Sequence, residues 1–167
     1  LVIRYGTIGD TIFASAFYRE LRNALPDARI DILVDDIAEG VMRNCPYINK
    51  IFYIDGKYRN FLGYISLFSI YDTVYFLKND RFFSTIAFLA GVKERIGFDV
   101  KRNRFLTLTS AYNEDRHEID CYLDLLRISG IPVKNDKTEA WLDRINDSTA
   151  KEIVSCIPNK KIIIQAY

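Results

Sequence analysis

The sequence predicts an α/β fold, a Rossmann-like doubly wound parallel sheet, and three observations carry that prediction. Short apolar runs of strand length alternate with stretches of helical periodicity along the chain. The first of them, Leu1-Val2-Ile3-Arg4-Tyr5, passes through the turn Gly6-Thr7-Ile8-Gly9 to Asp10 at the mouth of a helix. A chain of 167 residues with 49% hydrophobic content also suffices for one ordinary domain with a substantial core.

The opening residues form the first strand. The spacing of Phe13, Ala14, Phe17, Leu21 and Leu25 then predicts a helix over Thr11 to Leu25, ended by Pro26. Arg29 to Val34 alternates as a second strand. Asp35-Asp36 opens a short helix that stops near Asn44-Cys45-Pro46, and Ile48 to Ile54 supplies a third strand. Asp55-Gly56 turns into a segment with Lys57 and Arg59 ahead of an aromatic-rich helix, and Asp72 to Leu77 reads as the fourth strand.

A helix from about Phe82 to Ala90 follows, closed by Gly91, and Glu94 to Ile96 with Gly97 makes a fifth short strand. His117 to Ser129 reads as a long helix. Ile119, Tyr122, Leu123 and Leu126 lie on one of its faces, and Gly130 and Pro132 end it. Ser148 to Ile157 predicts another helix, and Lys161 to Gln165 a strand that opens a second α/β unit. The expected division is therefore a Rossmann-like domain over residues 1–158, with a linker and the first strand of a further domain over 159–167.

Composition narrows the function. A net charge of +1 gives no global field of the kind a nucleic-acid binder presents. Cys45, Cys121 and Cys156, odd in number and far apart, fit buried free thiols better than a disulfide framework. With His117 the only histidine, a Cys/His zinc site and a Ser-His-Asp triad are poorly supported. The most membrane-like window, Phe61 to Leu77, contains Asp72 and falls short of the roughly 20 apolar residues of a spanning helix. No basic, apolar, cleavable leader is read before the first strand. Phe13, Phe17, Phe68 and Tyr75 sit at core-like positions, whereas Tyr5 lies in the turn beside Asp10.

Ligands of open α/β sheets collect outside the carboxyl ends of the strands, so Asp10 is the first candidate for chemistry. Asp is also among the best helix N-cap residues, and on sequence physics alone capping is the favoured account of it. Gly6 and Gly9 give only GxxG, not the dinucleotide-binding glycine pattern, and a carboxylate at a helix mouth repels phosphate; a neutral, hydroxyl-bearing occupant is favoured. The alternative is a non-catalytic Rossmann-like nucleotide-binding module, with Asp35 or Asp36 on a ribose.

Four stretches, IRYGTIGDTIFASAFYRELRNALPDARIDILV, NCPYINKIFYID, VKERIGFD and HEIDCYLDLLRISGI, resemble in order and spacing the amino-terminal half of the ADP-heptose:lipopolysaccharide heptosyltransferases, glycosyltransferase family 9. The resemblance implies the acceptor-side half of a GT-B glycosyltransferase, two Rossmann-like domains facing each other across a cleft, with no obligatory metal and no cofactor besides the donor. It implies inverting transfer of a heptose or related sugar from an ADP-sugar to the lipopolysaccharide inner core. The expected location is cytoplasmic, with peripheral contact at the inner face of the cytoplasmic membrane. It also implies that this piece alone shows no turnover.

Carried onto its matching position, the family's general base is Asp10. The implied acceptor is anionic, so the candidate acceptor-binding residues are Thr7 and Gly9 in the turn together with the basic Lys57, Arg59, Arg81, Lys101, Arg102 and Arg104 in the loops after the third, fourth and fifth strands. Arg95 and His117 also match family positions; a structural role is expected for the first, and capping or a structural hydrogen bond for the second. Where the family often has an Asp-x-Gln-Gly turn after the fourth strand, this chain has Leu77-Lys78-Asn79-Asp80.

Overall fold

In the computed structural model, residues 1–55, 59–100, 102–141, 148, 149, 151, 152 and 155 are described. Six strands, β1 (Val2–Ile3), β2 (Asp31–Val34), β3 (Lys50–Tyr53), β4 (Thr73–Phe76), β5 (Glu94–Phe98) and β6 (Leu108–Ser110), form one sheet in the order β3-β2-β1-β4-β5-β6. Every pairing is parallel. Helices α1 (Ile8–Phe13), α2 (Ser15–Ala24), α3 (Glu39–Met42), α4 (Phe61–Phe68), α5 (Arg81–Leu89) and α6 (Glu118–Ile128) cover the two faces.

Successive side chains of a strand point to opposite faces, which divides the core in two. Val2, Ile32, Val34, Tyr75, Leu77, Ile96 and Phe98 pack with residues of α2, α3 and α6. Ile3, Leu33, Val74 and Phe76 pack with Tyr64 and Phe68 of α4 and Phe83 and Ile86 of α5. Strands covered on both faces must be apolar on both, and that is why the central strands read as continuous hydrophobic runs. The sheet is thus doubly wound, as the alternation of patterns predicts.

Three elements differ from the sequence expectation. The first helix begins at Ile8 rather than Thr11, because Thr7 caps it: the Thr7 hydroxyl accepts from the Asp10 amide. It is also two pieces, α1 and α2, meeting at Ala14. The Ala14 amide still donates to the Asp10 carbonyl and the Tyr18 amide to the Ala14 carbonyl, so they continue as one rod. Strand β6 was not foreseen. It is short and half-exposed, and backbone pairing with β5 holds it, aided by the Arg95 amide donating to Thr107 Oγ1 at 2.8 Å.

The window Phe61 to Leu77 is a helix followed by a buried strand, and among the described residues no helix is long and apolar enough to cross a membrane. Cys45 and Cys121 are buried free thiols. Cys156, the strand expected over Lys161 to Gln165 and the boundary at residue 158 lie outside the described residues, as does much of the helix expected over Ser148 to Ile157.

Candidate active site

Chain direction across the sheet reverses between β1 and β4, and in open α/β sheets the crevice outside the carboxyl ends at such a point is where ligands bind. A cleft of about 360 Å³ opens there, with Arg4, Asp10, Lys78, Tyr112, Glu118 and Tyr122 among its lining. Phe98 and Val100 give it an apolar floor.

The loop from β1 to α1 is fixed at each step. Gly6 sits at φ +128°, a backbone conformation in the region L side chains rarely adopt. Its amide donates to Asp35 Oδ2 at 2.8 Å, tying the turn to the end of β2. Asp35 thereby holds the loop through one carboxylate oxygen. Thr7 is the N-cap, so Asp10 is not the capping residue. It occupies the third helical position and returns the bond, its carboxylate accepting from the Thr7 amide at 3.4 Å. This reciprocal box satisfies two amides that the start of a helix leaves unpaired.

Asp10 does more than close the box. Arg4, the residue after β1, is 5% exposed, and its Nη2 lies 2.6 Å from Asp10 Oδ2. The same guanidinium donates through Nε to the Tyr122 hydroxyl at 2.9 Å and through Nη1 to the Tyr5 carbonyl. Both the ion pair and the Thr7 amide use Oδ2, which leaves Oδ1 without a hydrogen-bond partner among the described residues. Desolvation raises the Asp10 pKa, but the Arg4 charge and the hydrogen bonds from Thr7 and Arg4 outweigh it and hold the carboxyl below its ordinary value.

Around this pair stand two phenols and a lysine. Burial pushes the Tyr122 hydroxyl well above the usual phenol range, so it stays protonated beside Arg4. The Tyr112 hydroxyl donates to Glu118 Oε1, and that bond together with burial pushes the phenol up to about 12. Lys78 Nζ lies 4.4 Å from the centre of the Tyr5 ring. Asp80 fixes that ring by accepting from the Tyr5 hydroxyl, while it caps α5 through the amides of Phe82 and Phe83.

Four of the six basic residues singled out from the sequence lie elsewhere. Arg59, Arg81, Arg102 and Arg104 are exposed and line no part of the cleft, and Lys57 and Lys101 lie outside the described residues. Thr7 and Gly9 are exposed on the first turn of α1. Arg95 donates to the carbonyls of Phe105 and Val92, an anchoring role. His117 is the N-cap of α6, its Nδ1 accepting from the Ile119 amide at 3.2 Å. Arg4, Lys78, Tyr112, Glu118 and Tyr122 were not singled out as site residues, although Arg4 lies within the opening motif and Lys78 within the Leu77-Lys78-Asn79-Asp80 turn. Among the described residues, no group of three or more His, Cys, Asp or Glu is placed to hold a metal ion.

No protein-family model matches the sequence, and neither does any curated protein. Solved structures do match by shape. A glycosyltransferase of family 9 from Veillonella parvula superposes with a TM-score of 0.75 at 21% identity, over 93% of this chain and 48% of that one. The ADP-heptose lipopolysaccharide heptosyltransferase II of E. coli gives 0.66 at 16% identity, over 92% and 50%. The E. coli heptosyltransferase WaaC, solved with ADP, gives 0.67 at 10% identity, over 83% and 49%. The chain shares the fold of one half of each of these structures. The chain spans about half the length of each of these structures, and at such identities the likeness is one of architecture. Within this sheet, the Arg4–Asp10 pair sits where the strand order reverses.

Proposed function

We propose that this chain is the acceptor-side domain of an inverting glycosyltransferase, with Asp10 as general base. The observation that carries the reading is the Asp10 carboxylate itself: it lines the cleft, one oxygen is held by Arg4, and the other has no partner among the described residues. The donor is an ADP-sugar, a heptose or a relative, and the acceptor is a hydroxyl of the lipopolysaccharide inner core. The likeness to structures named for ADP-heptose supports that choice of donor. Such an acceptor brings the protein to the inner face of the cytoplasmic membrane as a peripheral partner.

The chemistry is a single displacement. The acceptor oxygen attacks the anomeric carbon, the bond from that carbon to the nucleoside diphosphate breaks, and the electron pair leaves with the phosphate. The acceptor proton passes to Asp10 Oδ1, and in-line attack inverts the centre. A carboxylate held below its ordinary pKa is a weak base, so the proton moves late, once the hydroxyl bonded to the sugar has become acidic. Lys78, in the lining of the cleft, supplies positive charge for an anionic acceptor beside the reacting hydroxyl.

The test uses the complete protein with ADP-heptose and a lipid-linked acceptor, read by mass spectrometry. General base catalysis is worth roughly 10²- to 10⁴-fold, so Asp10→Asn should lower kcat by about that factor while the donor KM stays within a few-fold. Equal loss of turnover and donor affinity with a lowered melting temperature would mean that Asp10 only holds the loop.

A further inference from the structure

We infer that Arg4 is the positioning residue of this cleft, a buried guanidinium braced by Tyr122 that fixes one oxygen of Asp10 and so aims the other at the acceptor. The inference deepens the reading of Asp10 as base and rests on it for its kinetic consequence, though not for its geometry.

Three elements meet in the arrangement. Arg4 continues β1, its amide donating to the Leu33 carbonyl of β2 at 3.1 Å, so its backbone is part of the sheet. Asp10 comes from α1 and Tyr122, 1% exposed, from α6. All three guanidinium nitrogens are used: Nε on Tyr122, Nη1 on the Tyr5 carbonyl and Nη2 on Asp10. The guanidinium carbon also lies 5.6 Å from the centre of the Tyr122 ring, so the ring restrains the fork as well as the hydroxyl does. Lysine in that place supplies the charge but not a planar fork with separate donors.

Gly6 completes the device by what it lacks. A Cβ there would stand 3.3 Å from Arg4 Nη1 and 3.4 Å from Asp10 Oδ2, so Arg4 would have to give by a few tenths of an ångström, and at φ +128° a side chain is strained as well. The charged and titratable groups of the cleft that surround Asp10 are Arg4 from β1, Lys78 after β4, Tyr112 and Glu114 ahead of α6, and Glu118 and Tyr122 on it. Of these only Arg4 touches the Asp10 carboxylate with an opposite charge.

The experiment separates positioning from loop stapling in the complete protein. The Asp10 carboxyl is titrated by carbon NMR without substrate, assigned by its loss in Asp10→Asn, and kcat/KM is followed against pH. Arg4→Gln should move the titration midpoint up, move the acid limb of the rate profile with it, and lower kcat nearly as far as Asp10→Asn does. Arg4→Lys should restore the low midpoint while kcat stays at least tenfold down, because charge returns and the fork does not. Tyr122→Phe, which keeps the ring and removes one hydrogen bond, gives a smaller fall in kcat and decides the matter if Arg4→Gln does not fold. An unchanged midpoint in Arg4→Gln, or wild-type kcat in both Tyr122→Phe and Arg4→Lys, would overturn the inference. A wild-type protein that transfers no sugar would refute the base reading instead, while the titration would still report whether Arg4 holds Asp10.

Discussion

The two glycines of the opening turn should respond to alanine with opposite signs. Gly6 has φ +128°, where an L residue costs of order 1–3 kcal/mol, and its added Cβ meets Arg4 Nη1 at 3.3 Å and Asp10 Oδ2 at 3.4 Å. Neither neighbour gives way freely, since each is held by the other and by further bonds. Gly9 lies within α1, an added Cβ there would stand 3.9 Å from Thr7 Oγ1, an ordinary contact, and alanine there gains roughly 0.5–1 kcal/mol by removing backbone freedom from the unfolded chain. Thermal unfolding of the complete protein should therefore show Gly6→Ala melting lower by roughly 4–8 °C for about 2 kcal/mol, and Gly9→Ala unchanged or a degree or two higher. The ratio of the two is the sharper quantity, because both sit in one loop and share one unfolding event. If both variants shifted down together by similar amounts, the left-handed backbone at Gly6 and the crowding around it would not be what sets the loop.

Asp80→Ala should destabilise by about 1–2 kcal/mol, since it removes the cap of α5 and the acceptor of the Tyr5 hydroxyl at once; Asp80→Asn, which keeps a capping oxygen, should lose less in denaturant unfolding. On the opposite side of the sheet from α4 and α5, burial raises the Glu139 pKa, but hydrogen bonds from Arg19, Tyr47 and Trp141 outweigh it and hold the carboxyl below its ordinary value. Its contribution is therefore complete above the unfolded value of about 4.3 and is lost as pH falls through the lower folded value. Glu139→Gln should lower stability at neutral pH by roughly 1–3 kcal/mol and flatten the decline of melting temperature below about pH 4; an unchanged acid slope would show that the Arg19 contact contributes nothing.

The fold was legible because burial writes itself into a strand twice, once for each face. Ile32-Leu33-Val34 and Val74-Tyr75-Phe76 serve both halves of the core, and no polar residue interrupts them. What escaped was structure made by backbone pairing or by distant partners. Strand β6 has little apolar content to announce it, and its existence depends on β5 presenting a free edge. Arg19 and Glu20 are 8% and 3% exposed on α2, against any reading of helix amphipathicity. They are buried because the extended segment after α6 crosses them: Arg19 donates to the carbonyls of Asn135 and Lys137, and Glu20 accepts from the Lys134 amide. Periodicity within a helix cannot register a partner more than 100 residues away.

The cations of the site failed to show for a related reason, and strand order explains which loops reach the crevice. Adjacent strands lie about 4.8 Å apart, so the loop after β3, two strands from β1, begins roughly 10 Å to one side, and Arg59 follows it there. The loop after β5 starts well, with Phe98 and Val100 in the cleft lining. It then turns back over α5: Asn103 donates to Ser84 Oγ at 2.8 Å, and Arg102 and Arg104 on either side of it point to solvent. After β4, Asp80 caps α5, which takes Arg81 into the helix and away from the crevice. Among the described basic residues, those that line the cleft with Asp10 stand at the end of β1 and immediately beyond β4: Arg4 and Lys78. Sequence alone favours the loop cations over Arg4 and Lys78; the parallel order 3-2-1-4-5-6 favours these two among the described residues, because proximity to a switch point is a property of the sheet and not of the chain.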